Sequence, residues 1–429
     1  MFASEFNLHS THRSIVRAAD TSIPPYTLSL SNLDLLSGRS PVIVVFVYTK
    51  PQDEDFSSIL EIIKTSLSQT LNYYFPFAGR VVSNPTTNDP EILCNNQGVE
   101  VIEAHANIDL ASLDFYDTEK SLKHITIPLS LEIPLCMQVT SFTCGGFSIS
   151  WTFDHILVDA TAVNLFLVTW SKIVQKKPIS NFPDHQRLIL KPRSPPTYCP
   201  LLDKTFTKCS MEMILNTPMA YDNSIKRLYF IEGSDVSKLQ QLASQNGEKR
   251  TKLEAISGYL WKVMATALKE SDTHCKMGWL VEGRRRMLSK DISNLTGNVL
   301  SMAVGEASME ELNNSAVSKV ATIAHKAISE VTTEEHFWDL IDWIEHHKPG
   351  MFLAKILIGI SGPALIVSSS RQFPSMKVEL GFGPPLLGTY YTSLPRLGAG
   401  FVIPQPSSRG DGSWVVFAIV WPKLAAALE

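Results

Sequence analysis

The stretch Ser148-Ile-Ser-Trp-Thr-Phe-Asp-His-Ile-Leu-Val-Asp-Ala-Thr-Ala162 changes its period halfway along. Phe147 to Phe153 reads as a β-strand, and Asp154-His155 closes it. Asp159 follows four residues after the histidine. From Ala160 to Val174 the apolar residues Val163, Phe166, Leu167 and Trp170 recur at helical steps. A strand that passes into a helix through a His-x-x-x-Asp turn points to an α/β fold. It also brings an imidazole to a strand end, where a general base working near neutral pH is of use. Asp159 could fix the tautomer of His155, or turn away to an arginine and hold the shape of the loop. A core histidine beside a surface aspartate has the same spacing, so the pair alone does not decide.

Outward from this stretch the same alternation continues. Pro41–Tyr48 is a continuous apolar, β-branched run and reads as a buried strand. Phe56, Ile59, Leu60, Ile63, Leu67 and Leu71 mark one face of an amphipathic helix over Asp55–Leu71. Further strands are expected at Val99–Glu103, Leu135–Phe142, Arg227–Ile231, Met277–Val281, Leu365–Ser368, Gly400–Ile403 and Trp414–Val420. Helices are expected at Asp235–Ser244, at about Thr251–Leu268, Met309–Val331 and Glu335–His346. Ser29–Leu36 reads as a loop or short turn.

With 429 residues the chain exceeds what one core usually serves, so two domains are expected. Lys176–Pro218 carries seven prolines (178, 183, 192, 195, 196, 200 and 218) without sustained periodicity, and suggests a crossover between them. The expected division is residues 1–180, a linker at 181–218, a second domain at 219–422, and a tail at 423–429 that matches either a vector-derived extension or a native short helix. The fold class is α/β, with two mixed-sheet domains of similar size.

A net charge of −4 leaves no basic excess for nucleic acid. No run of about 18 uncharged apolar residues marks a membrane span. No secretory signal is evident, and the six cysteines form no Cys-x-x-Cys pair. A cytoplasmic protein with reduced thiols and no metal site is expected.

Three further stretches could carry chemistry. Gly283-Arg-Arg-Arg286 follows a strand and could bind phosphate or a buried carboxylate, although a solvated basic turn explains most of it. Glu379-Leu-Gly-Phe-Gly383 places two glycines around an aromatic, which suits tight backbone at a ligand or a domain junction. Ser368, Ser369 and Arg371 lie just past a strand, where hydroxyls and a cation could take a phosphate or pantetheine group. No Gly-x-Ser-x-Gly elbow, Walker loop or His-Glu-x-x-His helix is present. A histidine base without a protein nucleophile suggests direct transfer between two bound substrates.

In order and spacing these motifs resemble the BAHD acyltransferases, plant enzymes that move an acyl group from an acyl-CoA thioester to an alcohol or amine. The resemblance rests on His155-Ile-Leu-Val-Asp159 and on Glu379-Leu-Gly-Phe-Gly383, which stands at the family's Asp-Phe-Gly-Trp-Gly. Tyr74-Phe-Pro-Phe-Ala-Gly-Arg80, Thr251-x-x-Glu254-Ala255, Glu282-Gly-Arg-Arg-Arg286 and Gly297-Asn298 support it.

The resemblance implies two domains joined by a long crossover, with a channel between them and His155 midway as the general base. It implies acyl-CoA as a co-substrate with no cofactor or metal, a small-molecule alcohol or amine acceptor, and a monomer. Asp159 would be structural and paired with Arg284, and Glu379, Gly381 and Gly383 would shape the channel from a distance. Phe382 replaces the family's tryptophan and removes an indole N–H, so Thr392 and Ser393 are candidate oxyanion donors. Acetyl, benzoyl and hydroxycinnamoyl donors stay open, and acidic residues facing the channel would favour a polyamine acceptor. The altered glycine motif raises the alternative of a non-catalytic binding or scaffold partner. A carnitine acyltransferase or peptide-synthetase condensation domain fits less well, because Asp154 precedes His155 and Ala160 follows Asp159.

Overall fold

The computed structural model describes residues 6–52, 54–219, 221, 223–245, 247–360, 362–368, 378–392 and 398–429. Among the described residues, two six-stranded mixed sheets carry the fold. The first has the spatial order Leu8–Val16, Val99–Ala106, Leu135–Ser141, Phe147–Asp154, Pro41–Tyr48, Leu387–Tyr391. Among the described residues only Val99–Ala106 and Leu135–Ser141 pair in parallel within it. The second runs Ile225–Ile231, Trp414–Val420, Gly400–Pro406, Ala364–Val367, His274–Glu282, Leu300–Ser308.

Each sheet is covered by helices that bury large aromatics. Phe147–Asp154 is buried along its whole length, which is why it reads as a strand with few exposed polar positions. Trp151 meets Trp170 of the helix Ala160–Val174 edge-on, with ring centroids 5.6 Å apart. Trp170 also donates through its indole N–H to Ser66 Oγ at 2.6 Å, which ties that helix to the helix Phe56–Thr70. In the second half Trp261, Trp279 and Trp343 are fully buried around the other sheet.

Elements from both halves of the chain meet across residue 218. Leu387–Tyr391, from the second half, completes the edge of the first sheet by pairing antiparallel with Pro41–Tyr48. Its glycine- and proline-rich surroundings hid a strand whose residues Tyr390 and Tyr391 are buried. In the reverse direction, Ser29–Leu36 contributes a capped helix, Asn32–Ser37. Asn32 there donates through Nδ2 to Ile341 O of the second half at 2.8 Å.

The crossover is ordered too. It carries Arg187–Leu190, Leu202–Thr205, Met211–Asn216 and the strand Phe206–Cys209, which pairs with Met351–Ala354. Met309–Val331 is two helices, Met309–Asn314 and Val317–Glu330, broken where Ser315 takes an extended backbone. The tail belongs to the helix Pro422–Leu428, with Leu424 and Ala425 buried and Lys423 donating to Leu268 O at 2.8 Å. Among the described residues no helix is long and apolar enough to cross a membrane.

Candidate active site

The strand Phe147–Asp154 ends in a tight turn that aims His155. The His155 amide donates to Ser40 O at 2.9 Å, and the Leu157 amide donates back to Asp154 O at 3.0 Å. Ile156, Leu157 and Val158 are buried, so the loop is anchored by apolar side chains as well. Asp154 is fully buried; burial pushes its carboxyl up, against the opposing pull of Arg39, whose Nε lies 2.7 Å away.

Asp159 caps the next helix by accepting from the Ala162 amide at 2.9 Å. Its carboxylate turns from His155 to the other half of the chain. Arg284 donates to it through Nη1 at 2.7 Å and Nη2 at 3.1 Å, and the Val299 amide adds 3.1 Å. The remaining Arg284 donors reach Glu282, Leu295 O and Gly297 O, so the whole guanidinium fork is satisfied. Burial opposes the charge on Arg284, but Asp159 and Glu282 outweigh it and hold the pKa above its ordinary value. The pair is nearly inaccessible to water, at 3% and 0% side-chain exposure. Of the three neighbouring arginines this one alone is buried, while Arg285 and Arg286 are exposed.

A second polar link sets the ring of His155. Asn298 donates through Nδ2 to Asp34 Oδ1 at 2.9 Å and to His155 O at 2.8 Å. Both partners are acceptors, which assigns the amide: its Oδ1 faces His155 Nδ1 at 3.0 Å. Nδ1 therefore carries the proton, and Nε2 is left as the basic nitrogen.

Asp34 is itself buried, accepts from Arg187 Nε at 3.0 Å and closes a capping box with Ser31. Gly297 makes room for this contact, since a Cβ there would lie 2.6 Å from Arg187 Nε and 3.0 Å from Asp34 Oδ1. Asp34, Arg187 and Asn298 were not among the expected site residues. The Ser31-x-x-Asp34 spacing and the Gly297-Asn298 pair were the available signals.

His155 opens onto a cavity of about 970 Å³ whose walls come from both halves. Thr392, Tyr391, Asn164 and Ser368 line it, as do the cations Arg285, Arg286 and Lys290. Thr392 donates its hydroxyl proton to Pro41 O at 3.0 Å. Ser369, Arg371 and Ser393 lie outside the described residues.

Residues 379–383 are not among the residues that line this cavity. The Glu379 main chain is bonded instead to Ser171 Oγ and Gln175 Nε2, at the far end of the helix Ala160–Val174. Phe382 packs edge-on against Phe147 and Tyr48, with centroids 5.2 and 6.0 Å away. Gly381 and Gly383 have φ of +85° and +77°, which explains why glycine stands at both.

Comparison with known proteins bears on this geometry. A family model described as Transferase family matches residues 6–425. A fatty alcohol:caffeoyl-CoA acyltransferase of Arabidopsis thaliana is 27% identical over 403 residues, spanning 90% of this chain and 89% of its own. An omega-hydroxypalmitate O-feruloyl transferase of the same plant is 27% identical over 380 residues, spanning 83% and 79%. The crystal structure of vinorine synthase superposes with a TM-score of 0.73 at 17% identity, covering 98% of this chain and 96% of that one, and shares its fold.

Proposed function

The chain belongs to the Transferase family and is a BAHD acyltransferase, and from that premise we propose that it moves an acyl group from CoA to a hydroxyl or amine with His155 as the only general base. The observation that carries this reading is the fixed imidazole. Asn298 holds the Nδ1 proton at 3.0 Å, and the ring opens onto a cavity walled by both halves.

In the proposed reaction the acceptor's O–H or N–H proton passes to His155 Nε2 as its oxygen or nitrogen attacks the thioester carbonyl. The tetrahedral species collapses, the C–S bond breaks, and the departing CoA thiolate takes the proton from His155. No covalent acyl-enzyme forms. The steps call for acyl-CoA as a co-substrate and for no further group.

Asp159 and Arg284 act by holding the loop. Ser368, with Ser369 and Arg371, is proposed to meet CoA; the position of Ser368 on the cavity wall supports it. Thr392 and Ser393 are proposed for the oxyanion, and Thr392 needs only a side-chain rotation to free its proton from Pro41. Hydroxycinnamoyl, benzoyl and acetyl groups are the proposed donors. The names of the caffeoyl-CoA and feruloyl transferases among the relatives support the first.

The test is release of free CoA thiol with a panel of acyl-CoAs and acceptors. Acceptor-dependent release by the wild type, reduced at least about 100-fold in His155→Ala with CoA affinity retained, is the expected result. Full activity in His155→Ala would remove the histidine from the mechanism.

A further inference from the structure

Asn164 stands one turn into the helix Ala160–Val174 and lines the cavity with Thr161 and Leu165. Among the described residues its Oδ1 is buried without a hydrogen-bond partner. A buried amide oxygen left unpaired is costly, and such groups usually have a partner in the working molecule. Rotation of the carboxamide exchanges O and NH₂, so the group can present either to a ligand. No other carboxamide lies on the described cavity wall.

The surroundings define what it can meet. Ser40, Pro41, Val42, Thr161 and Leu165, which line the cavity from the same half of the sequence, carry no charge. Of the two acidic residues on the described wall, Glu282 accepts from Arg284 at 2.9 Å, while Asp291 accepts from the neutral Ser293 hydroxyl at 3.0 Å. Arg285, Arg286 and Lys290 leave the wall with an excess of positive charge, which favours anionic phosphates and repels polyamines.

Resting on the acyl-transfer reading above, we propose that Asn164 is a specificity-determining residue that binds a neutral hydroxyl or phenol on the organic part of a substrate. The cavity thereby selects neutral hydroxylated skeletons over cationic amines. The hydroxyl can belong to the acyl donor or to the acceptor, and matched pairs separate the two. kcat/KM is compared for p-coumaroyl-CoA against cinnamoyl-CoA, and for 4-hydroxybenzyl alcohol against benzyl alcohol, with spermidine as the cationic acceptor.

The wild type is expected to favour the hydroxylated member of one pair by about 10- to 100-fold. Asn164→Leu should reduce that ratio to within about 2-fold, and Asn164→Asp, which keeps an accepting oxygen, should retain most of it. The pair that responds identifies the partner that carries the hydroxyl. A preference that survives in Asn164→Leu, or no preference in either pair, would overturn the assignment. Spermidine transfer matching that of the best neutral acceptor would overturn the exclusion of cations. No thiol release with any pair would instead remove the acyl-transfer reading, and this inference with it.

Discussion

The loop His155–Asp159 and the stretch Glu379–Gly383 are both motif sites, and they are held by opposite means. The first hangs on buried charges that come from elsewhere in the chain: Arg284 on Asp159, and Arg187 on Asp34, which in turn holds Asn298. The second is held by its own main chain on Ser171 and by Phe382 edge-on against Phe147 and Tyr48. Buried polar links fix direction, because each bond demands a particular atom in a particular place. Aromatic packing fixes position but tolerates exchange among rings. Departures from the family pattern sit at Glu379, Leu380 and Phe382, and so fall where tolerance is greatest.

The comparison breaks first at its strongest polar link. Asp159→Ala leaves Arg284 buried without its main partner, and a loss of about 3–5 kcal/mol in urea unfolding is expected. A loss below about 1 kcal/mol would mean that the pair does not hold the loop. Asn298→Ala comes next, because it frees the His155 ring while leaving the nitrogen that reacts. A fall of about 100-fold in kcat, with KM for acyl-CoA little changed, is expected from steady-state kinetics.

A third test uses pH. His185 lies in the crossover, with Nε2 against Tyr73 O at 2.8 Å and Nδ1 against Thr296 Oγ1 at 2.7 Å. Burial, with help from Arg187 and against the Tyr73 bond, pushes it down to about 4 from an ordinary 6.5. The folded-state value is depressed, so the neutral ring is what the fold accepts. This stability is intact above about pH 6.5 and is lost as pH falls toward about 4, on the order of 3 kcal/mol in all. His336, half-buried beside Ser301, is depressed to about 4 in the same way. His185→Gln should therefore flatten the fall of Tm between pH 6.5 and 4 by about half.

The smallest effect is expected on the packed side. Phe382→Trp restores the family's residue at a position that does not line the cavity, and should change kcat/KM by less than about 3-fold. A gain of about 10-fold would show that an indole N–H at this position does reach the reaction.

The elements around His155 were legible because the hydrophobic period changes sharply there. Val44, Phe46 and Trp151 sit in one apolar layer, and Val163, Phe166 and Trp170 recur at helical steps. The run Gly283-Arg-Arg-Arg286 was visible as cations just past a strand, and only the resemblance singled out Arg284. Asp34 and Asn298 were not legible as partners, since they are 264 positions apart and neither interrupts a local pattern. Leu387–Tyr391 was missed for a related reason: an edge strand of five residues amid glycines and prolines has too little period to show. Local patterns expose elements, whereas the polar bonds that aim a side chain depend on how the elements meet.

The central claim is that Asn298 holds the proton on His155 Nδ1 and leaves Nε2 to act as the base. The direct measurement is the ¹⁵N spectrum of protein labelled at histidine, with His155→Ala used to assign the signal. The account predicts that neutral His155 is the Nδ1–H tautomer in the wild type, and that Asn298→Ala shifts it toward a mixture. A wild-type His155 that is predominantly the Nε2–H tautomer would contradict it.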